Sequence, residues 1–382
     1  MTAANLNLFD PVIDRRGTSS IKWDRYAGRD VLPMWVADMD FQSPFSVRAA
    51  LHDRIDHGVF GYTAAPVSLV EAVTAYAQQQ YGWAIDPAWL IWLPGLVLGL
   101  NLACRSVGQP GDAVVTATPI YPPFLSAPTL ADRKLIAVPL LESSGLWCWD
   151  LARLEASLTA ETRLLMLCHP HNPVGRAWHE DELRALIDLA QRHDLIMCSD
   201  EIHADLQLEP GRKHRPLAAV DPDWAGRTIT LMAPSKHWNL PGLACAFAVI
   251  PDPSLRRRYA QAMAGGLVPQ VNLMGYVAAE AAYRDDGRWH AGLIQYLRGN
   301  RQRLVDWFAD SQRLHLTVPE ATYLAWIDAR AVDPVNPLPV FESLGVGLSD
   351  GREFGLPGYL RLNFGCHRSV LEEALRRLLP LR

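Results

Sequence analysis

Residues 228–242 read TITLMAPSKHWNLPG, and this stretch decides the fold of the chain. An apolar run of strand length, Thr228 to Met232, leads into Lys236, and a second apolar run follows from Cys245 to Ile250. A lysine that follows a strand lies at the rim of the sheet, where α/β proteins bind ligands. If its surroundings destabilise the ammonium, it becomes a nucleophilic amine that can form a Schiff base. The alternative is an ordinary solvated loop lysine.

Strand-like and helical segments alternate around this stretch. Apolar runs predict further strands at residues 89–93, 113–117, 163–168 and 195–198. Helical spacing of apolar residues predicts helices at 96–107 and 180–193, and a capping box at Ser68 and Glu71 predicts where another helix begins. Such alternation predicts an α/β fold whose mostly parallel sheet is covered by helices on both faces.

After about Arg284 the pattern changes to that of a smaller α+β domain. We expect a long helix at 296–308, strands at 324–327 and 359–363, and a final helix that Ser369 caps together with Glu372. Residues 32–41 are expected to be extended. The expected division is an N-terminal arm at 1–45 that joins the small domain, a large domain at 46–284 and a small domain at 285–382.

The composition excludes several classes of protein. The 382 residues carry a formal net charge of −5 without a basic stripe, so no nucleic-acid partner is expected. Residues 87–104 are uncharged, but Pro94-Gly95 interrupts them, so we expect a buried strand, a turn and a helix, and no membrane span. The N-terminus lacks a signal-peptide pattern, and six cysteines, mostly inside apolar runs, indicate reduced thiols in a cytoplasmic protein.

Polar residues follow several of the predicted strands. Gly95, Leu96 and Val97 stand where a strand ends and a helix starts, and helix N-terminal amides bind phosphate; a plain turn is the alternative. Asn172 can point its amide at a ligand oxygen. Asp200 directly follows a strand, where a buried carboxylate needs a cationic partner, unless it caps the next helix.

A metal site is not expected. Cys168, His169 and His171 resemble metal ligands by residue type, but their i, i+1, i+3 spacing is not a zinc pattern and no second cluster completes it.

Taken together, these positions indicate one ligand with a phosphate, a protonated ring nitrogen, a phenolic oxygen and an aldehyde, which describes pyridoxal 5′-phosphate. Asp200 is expected to hold the ring-nitrogen proton, and Asn172 and His203 to contact the ring hydroxyl. Lys236, beside Ser235, is expected to form the Schiff base and then to move a proton. Tyr121 follows a strand and is expected to stack on the ring as a third catalytic residue; a core tyrosine is the alternative.

Motifs in a fixed order then point to a known family. They are Asn172-Pro173-x-Gly175, Asp200-Glu201-x-His203, Ser235-Lys236 and Arg361-x-Asn363. Nearly the whole chain resembles the fold-type I pyridoxal-phosphate enzymes of the class I/II aminotransferase superfamily. Within it, three segments resemble the branch of cystathionine β-lyases and cysteine C–S lyases of the MalY/PatB type, namely residues 33–41, 60–63 and 359–366.

The resemblance implies an aminotransferase-like large domain with a seven-stranded, mostly parallel sheet, and a homodimer with active sites at the interface. It implies that Tyr62 reaches the partner's cofactor phosphate and contacts substrate, that Arg361 pairs with the substrate α-carboxylate, and that Asp38 also contacts substrate. A salt-bridged surface arginine is the alternative for Arg361. Many aminotransferases hold the phosphate with an arginine about eight residues beyond the lysine, whereas this chain has Gly242, Leu243 and Ala244 there.

The function that follows is α,β-elimination on L-cystathionine or related cysteine S-conjugates, which gives a thiol, pyruvate and ammonia. A thiol with a pKa of about 8.5 departs far more readily than an alkoxide. Transamination by the same residues is the first alternative, and a regulatory pyridoxal-phosphate protein without important turnover is the second.

Overall fold

A computed structural model describes residues 8–143, 145–264 and 268–382 of the chain. The strands in the described residues are β1 Leu32–Pro33, β2 Leu90–Leu93, β3 Ala113–Thr118, β4 Lys134–Pro139, β5 Leu141–Ser143, β6 Leu146–Cys148, β7 Thr162–Cys168, β8 Ile196–Asp200, β9 Thr228–Met232, β10 Ala246–Val249, β11 His315–Thr317, β12 Leu324–Asp328, β13 Val346–Gly347, β14 Ser349–Asp350 and β15 Tyr359–Asn363.

The α-helices in the same residues are α1 Ile21–Asp24, α2 Phe45–His57, α3 Val67–Tyr81, α4 Leu96–Ser106, α5 Pro123–Leu130, α6 Leu151–Ser157, α7 Glu180–Arg192, α8 Leu217–Val220, α9 Pro253–Met263, α10 Leu273–Tyr283, α11 Arg288–Ala309, α12 Leu338–Ser343 and α13 Arg368–Arg377. Short 3₁₀ helices lie at Pro87–Trp89, Ala225–Arg227, Pro241–Leu243, Gly351–Phe354 and Leu379–Leu381. Every helix in the described part of the chain is too short or too polar to span a bilayer.

The larger sheet has seven strands in the order β2-β10-β9-β8-β7-β3-β4. Only β10 runs antiparallel to its two neighbours, and the remaining pairs are parallel. The central strands β8 and β9 are buried on both faces almost throughout, because apolar and β-branched residues continue along them without alternation. The prediction of a seven-stranded, mostly parallel α/β sheet is therefore confirmed.

The smaller sheet has the order β11-β12-β15-β14 and is antiparallel throughout. Helices α11 and α13 pack together beside it, and their apolar faces share one core with Phe9, Met34, Met39 and Phe41 from the N-terminal arm. The arm also adds strand β1, which pairs in parallel with β13. The arm is therefore held in the same core as the smaller sheet.

The predicted strands and helices are confirmed, but two predicted helix caps are wrong. Helix α3 begins at Val67 after an extended Pro66, so Ser68 already lies in the first turn and caps nothing. Helix α13 begins at Arg368, and the ring of His367 accepts a hydrogen bond from the Ser369 amide, so His367 is the cap. Helix α11 is also longer than predicted, since it starts at Arg288.

The parallel arrangement places the carboxyl ends of β2, β3, β7, β8 and β9 at one edge of the larger sheet. The segments that follow these strands contain the residues singled out in the sequence. Strand β15 of the smaller sheet, which carries Arg361, faces this edge, because Arg361 bonds to Asn172 beyond the end of β7.

Candidate active site

A cavity of about 350 Å³ lies between this sheet edge, the N-terminal arm and strand β15. Ten of the residues predicted for the site line it: Gly95, Leu96, Val97, Tyr121, Asn172, Asp200, His203, Ser235, Lys236 and Arg361. The fold thus brings to one place residues that are spread over more than 260 positions of the sequence.

Helix α4 points its N-terminus at the cavity. Gly95 precedes the helix, and the amides of Leu96 and Val97 lie in its first turn, where no intrahelical acceptor is available. The Ser235 side chain lines the same region. Free amides and the positive end of the helix dipole favour an anion such as a phosphate.

Asp200 ends strand β8 and is 3% exposed. Its Oδ1 accepts a 3.1 Å hydrogen bond from the Ile202 amide, and a turn rather than a helix follows, so Asp200 is not a helix cap. No salt bridge joins it to a cation among the described residues. Burial, reinforced by neighbouring Glu201, raises the pKa of Asp200 to about 7. A cationic N–H donor in the cavity would restore the ionised form.

Lys236 follows strand β9 and is partly exposed within the cavity. Its Nζ donates a 2.5 Å hydrogen bond to the carbonyl oxygen of Ala37 in the arm. Burial lowers the pKa of Lys236 to about 8, an effect that the nearby charge of Asp38 partly opposes and that of Arg361 reinforces. The uncharged fraction of the amine near neutral pH is therefore far larger than for an ordinary lysine, and this fraction can act as a nucleophile or a base.

Asn172 and His203 are both buried at the cavity wall, with 4% and 3% exposure. Asn172 Oδ1 accepts a hydrogen bond from Arg361, so its Nδ2 is left to donate to a ligand. His203 Nδ1 is buried without a hydrogen-bond partner, and burial holds the pKa of the ring well below its usual range. A neutral imidazole and an amide donor are thus available to a polar ligand oxygen.

Arg361 is 5% exposed and stacks over the Phe354 ring at 4.7 Å. Its guanidinium donates to neutral oxygens only: Asn172 Oδ1 at 3.0 Å, the Trp35 carbonyl at 2.8 Å and Ser349 Oγ at 3.3 Å. No salt bridge joins Arg361 to a carboxylate within residues 8–143, 145–264 and 268–382. Burial lowers its pKa to about 10. A buried cation without an anion favours a ligand that brings a carboxylate.

The remaining predicted residues take different positions. Tyr121 lies on the cavity wall, where burial raises its pKa. Asp38 does not line this cavity, because its carboxylate turns to Arg15 at 2.7 Å. Tyr62 is fully exposed and lies outside the cavity of its own chain. Ala244 lines the cavity where an arginine is found in many aminotransferases, so the phosphate end has no guanidinium from this segment.

Sequence reasoning missed the backbone of the arm. The Ala37 carbonyl accepts hydrogen bonds from Lys236 and from the Tyr323 hydroxyl, and the Trp35 carbonyl accepts from Arg361. A backbone acceptor cannot be recognised from the residue type. The sequence signal for this region was the resemblance of residues 33–41 to the lyase branch. His169 and His171, weighed as metal ligands, bond to backbone carbonyls instead.

These residues fit pyridoxal 5′-phosphate. Asp200 and Arg361 have no ion-pair partner in the described residues, His203 Nδ1 has no hydrogen-bond partner, and the first amides of α4 are free. Each of these groups matches one polar group of that cofactor or of an amino acid beside it. The Lys236 amine stands among them as the group that an aldehyde would meet.

Comparison with known proteins agrees with this fit. Residues 29–378 match the family model described as aminotransferase class I and II. Among curated proteins, the chain is 36% identical to cystathionine beta-lyase PatB of Bacillus subtilis, over 97% of this chain and 98% of that protein. It is 33% identical to cystathionine beta-lyase of Corynebacterium glutamicum over the same shares of the two chains.

Solved structures give a similar result. The crystal structure of OvoB is 44% identical with a TM-score of 0.95, and the alignment covers 98% of both chains. A pyridoxal-phosphate-bound putative aminotransferase from Clostridium difficile is 34% identical with a TM-score of 0.92, over 97% of this chain and 98% of that one. Cystalysin from Treponema denticola, which contains pyridoxal 5′-phosphate, is 33% identical with a TM-score of 0.90, over 97% of both chains.

Proposed function

The chain belongs to the aminotransferase class I and II family, and we propose from this premise that it is a pyridoxal-phosphate-dependent C–S β-lyase. Its substrates are L-cystathionine or related cysteine S-conjugates, and its products are a thiol, pyruvate and ammonia. The observation that carries the proposal is one cavity in which Lys236, Asp200 and unpaired Arg361 meet, in a chain similar over its length to cystathionine β-lyases.

The cofactor supplies an electron sink for the negative charge that develops at the substrate Cα. Asp200 keeps the ring nitrogen protonated, because a carboxylate that is costly to ionise alone is stabilised by an N–H cation beside it. Asn172 Nδ2 and the His203 ring would hold the ring oxygen, and the α4 amides with Ser235 would hold the phosphate.

The substrate is held by its carboxylate at Arg361, which orients Cα towards Lys236. The Lys236 amine removes the Cα proton, and its lowered pKa of about 8 places this base close to working pH. The sulfur at the β-carbon leaves as a thiolate, which is a much better leaving group than an alkoxide. The aminoacrylate that remains hydrolyses to pyruvate and ammonia.

Transamination remains the second candidate, because it uses the same residues and a putative aminotransferase is among the similar structures. Product analysis separates the two. Incubation of the purified holoenzyme with L-cystathionine and no keto acid is expected to yield pyruvate and free thiol in equal amounts. A strict requirement for added keto acid, with no thiol released, would overturn the lyase proposal.

We propose that the protein is a homodimer whose sites are shared. Support comes from a run of exposed apolar side chains between residues 45 and 67: Phe45, Ile55, Val59, Phe60, Tyr62 and Val67. Several large apolar side chains exposed in one segment are typical of a protein interface. Tyr62 is in the middle of it, as expected of a residue that acts in the partner's site. A cytoplasmic location is also proposed, supported by six unpaired cysteines, five of them buried.

A further inference from the structure

The carbonyl oxygen of Ala37, in the N-terminal arm, accepts hydrogen bonds from two side chains, Lys236 Nζ at 2.5 Å and the Tyr323 hydroxyl at 3.0 Å. A carbonyl oxygen has two lone pairs, so it can accept both bonds at once. We propose that Tyr323 is a positioning residue for Lys236, because it holds this carbonyl where the lysine ammonium donates to it. The proposal rests on the proposed function of Lys236 as the base, and it adds the group that stabilises the protonated form of that base.

The Tyr323 hydroxyl is placed to act on the lysine through the carbonyl alone. Tyr323 is 0% exposed and does not line the cavity that contains Lys236. Burial, reinforced by the charge of Asp38, raises the pKa of the hydroxyl, so it keeps its proton and remains a donor. Substrate and cofactor in the cavity therefore do not reach this hydroxyl, and its role is to position another group.

The backbone next to Tyr323 is strained. Thr322 has a φ angle of 73°, in the left-handed region that β-branched residues rarely adopt. Buried hydrogen bonds hold the backbone on both sides: the Thr322 amide donates to the Leu206 carbonyl at 2.9 Å, and the Tyr323 carbonyl accepts from the Phe364 amide at 2.9 Å. Strain of this kind persists only where the surrounding structure enforces it, and it is concentrated at functional sites. Here it lies beside the residue whose hydroxyl reaches the arm.

The carbonyls on either side of Ala37 are held as well. Asn363 Nδ2 donates to the Val36 carbonyl at 2.6 Å and to the Asp38 carbonyl at 2.7 Å. Asn363 ends β15, which pairs with β12, and β12 begins directly after the tyrosine. Side chains from these adjacent strands thus fix three consecutive carbonyls of the arm, and the lysine donates to the middle one.

The Ala37 oxygen matters most when Lys236 is charged. When the lysine removes the substrate Cα proton, the C–H bond breaks, the proton moves to Nζ and the electron pair stays at Cα. The ammonium that results is a stronger hydrogen-bond donor than the neutral amine, so a fixed acceptor stabilises the charged form. Without the tyrosine hydroxyl the carbonyl is held less firmly, which weakens this bond and lowers the pKa of Lys236 below the value of about 8 that follows mainly from burial.

Tyr323→Phe tests the proposal, because it removes the hydroxyl and keeps the ring, whose centroid lies 6.2 Å from that of the His203 ring. The substitution leaves in place the other charged and titratable groups around Lys236, which are Asp38 of the arm, Tyr121, Cys168, Asp200, His203 and Cys245 at the edge of the larger sheet, and Arg361 on β15.

The readout is the pH midpoint at which cofactor-free protein attaches pyridoxal 5′-phosphate, measured by stopped-flow absorbance. In Tyr323→Phe this midpoint is expected to fall by about one pH unit, the range of a weakened hydrogen bond to a charged group. A midpoint that stays within about 0.3 unit of the wild-type value would overturn the proposal. A rise would also overturn it, because it would show that the hydroxyl competes with the lysine for the carbonyl.

Tyr259→Phe is the matched control. The Tyr259 hydroxyl also donates to a backbone carbonyl at 3.0 Å, that of Gly99, and Tyr259 is likewise 0% exposed. It lies on α9, outside the cavity. Each variant loses one buried hydrogen bond, so both unfolding temperatures are expected to fall by similar amounts, whereas only Tyr323→Phe shifts the midpoint. An equal shift in both variants would show a general effect of lost stability and would overturn the proposal.

Steady-state kinetics gives a second readout. Tyr323→Phe is expected to lower kcat for an S-conjugate by about tenfold and to keep KM within about threefold, since the hydroxyl supports the base and does not touch substrate. An unchanged kcat would overturn the role in proton transfer. The attachment midpoint needs no turnover, so it still decides the role of Tyr323 if no S-conjugate releases a thiol and the lyase function fails. If thiol is released and the midpoint is unchanged, the positioning role fails alone.

Discussion

Arg361 Nη1 donates a 3.0 Å hydrogen bond to Asn172 Oδ1, although the two residues are 189 positions apart, one on β15 of the smaller sheet and the other in the segment that follows β7 of the larger sheet. The bond fixes two orientations at once. It holds the guanidinium at the cavity without pairing it with a protein carboxylate, and it leaves the Asn172 Nδ2 donor free to bond to a ligand. The group proposed to bind the substrate and a group proposed to bind the cofactor are therefore positioned by the same contact.

Arg361→Lys tests this contact. Lysine keeps the positive charge but loses the planar fork that reaches Asn172, the Trp35 carbonyl and a substrate carboxylate together. We expect KM for the amino-acid substrate to rise by about 10- to 100-fold, the range of one or two hydrogen bonds to a charged group. Steady-state kinetics measures the change.

Ser349→Ala is the matched control for Arg361→Lys. It removes the longest of the three Arg361 contacts, at 3.3 Å, together with the Ser349 Oγ bond to the Trp35 carbonyl, and leaves the bond to Asn172 intact. We expect its KM to stay within about threefold of the wild type. An unchanged KM in Arg361→Lys would show that the carboxylate is bound elsewhere.

Lys236→Ala is expected to abolish the visible absorption band of the lysine-bound cofactor and to lower kcat by at least about a thousandfold, since both the attachment point and the base are lost. Lys213→Ala removes an exposed lysine in the same half of the chain and is expected to change neither. Absorbance spectra of the purified proteins and turnover assays give both answers. A normal band in Lys236→Ala would show that the cofactor is not attached to this lysine.

The pH dependence of cofactor attachment follows from the pKa of Lys236, which burial lowers to about 8. Only the uncharged amine attacks an aldehyde, so the rate at which cofactor-free protein attaches the cofactor is expected to rise with pH and to level off above about pH 9. Stopped-flow absorbance across pH 6 to 10 measures the midpoint. A midpoint near the ordinary lysine value of about 10.4 would contradict the desolvated amine.

Much of the larger sheet could be predicted from the sequence, for a physical reason. Strands buried on both faces need continuous apolar runs, such as Thr228–Met232, and parallel strands end at a common edge. The residues after those runs, including Asp200 and Lys236, were therefore expected to meet before their distances were known. Their individual roles, and the division into domains at residues 45 and 284, stay predictions.

Other features could not be predicted, because they depend on the path of the backbone rather than on residue type. Ser369 resembles a helix cap, but His367 is the residue where the chain enters α13. The Ala37 carbonyl becomes an acceptor for Lys236 only when the arm folds across the sheet edge. Asp38 is predicted to contact substrate, and its carboxylate pairs with Arg15 at 2.7 Å, a contact that no local pattern indicates.

Asp200→Asn is expected to stabilise the cofactor-free protein at pH 8 while it impairs catalysis. Burial raises the pKa of Asp200 from 3.8 to about 7, so between these values the folded state keeps a proton that the unfolded state loses. Stability therefore falls as pH rises through this window, by about 4 kcal/mol in total. Asparagine avoids that cost. The unfolding temperature of the variant should therefore exceed that of the wild type at pH 8 but not at pH 4.

Asp205→Asn is the control of opposite sign. The pKa of Asp205 is lowered to about 2: the charge of His237, 2.9 Å away, outweighs the effect of burial, and a hydrogen bond from Tyr81 adds to it. Its contribution to stability is present above about pH 4 and is lost as pH falls towards 2. Asp205→Asn should therefore lower the unfolding temperature at pH 5. If both substitutions destabilise the cofactor-free protein, Asp200 is not a strained carboxylate.

Mixed dimers test whether Tyr62 acts across an interface. Tyr62 is fully exposed and absent from the cavity that holds Lys236 of the same chain. Tyr62→Ala and Lys236→Ala homodimers should each have little activity. If Tyr62 completes the partner's site, a mixed dimer contains one site with both residues intact. After random exchange of subunits, half of the dimers are mixed, so about a quarter of the wild-type activity should return. Activity that stays at the level of the parent variants after exchange, verified by mass spectrometry of differently tagged subunits, would place Tyr62 in its own subunit's site or outside both.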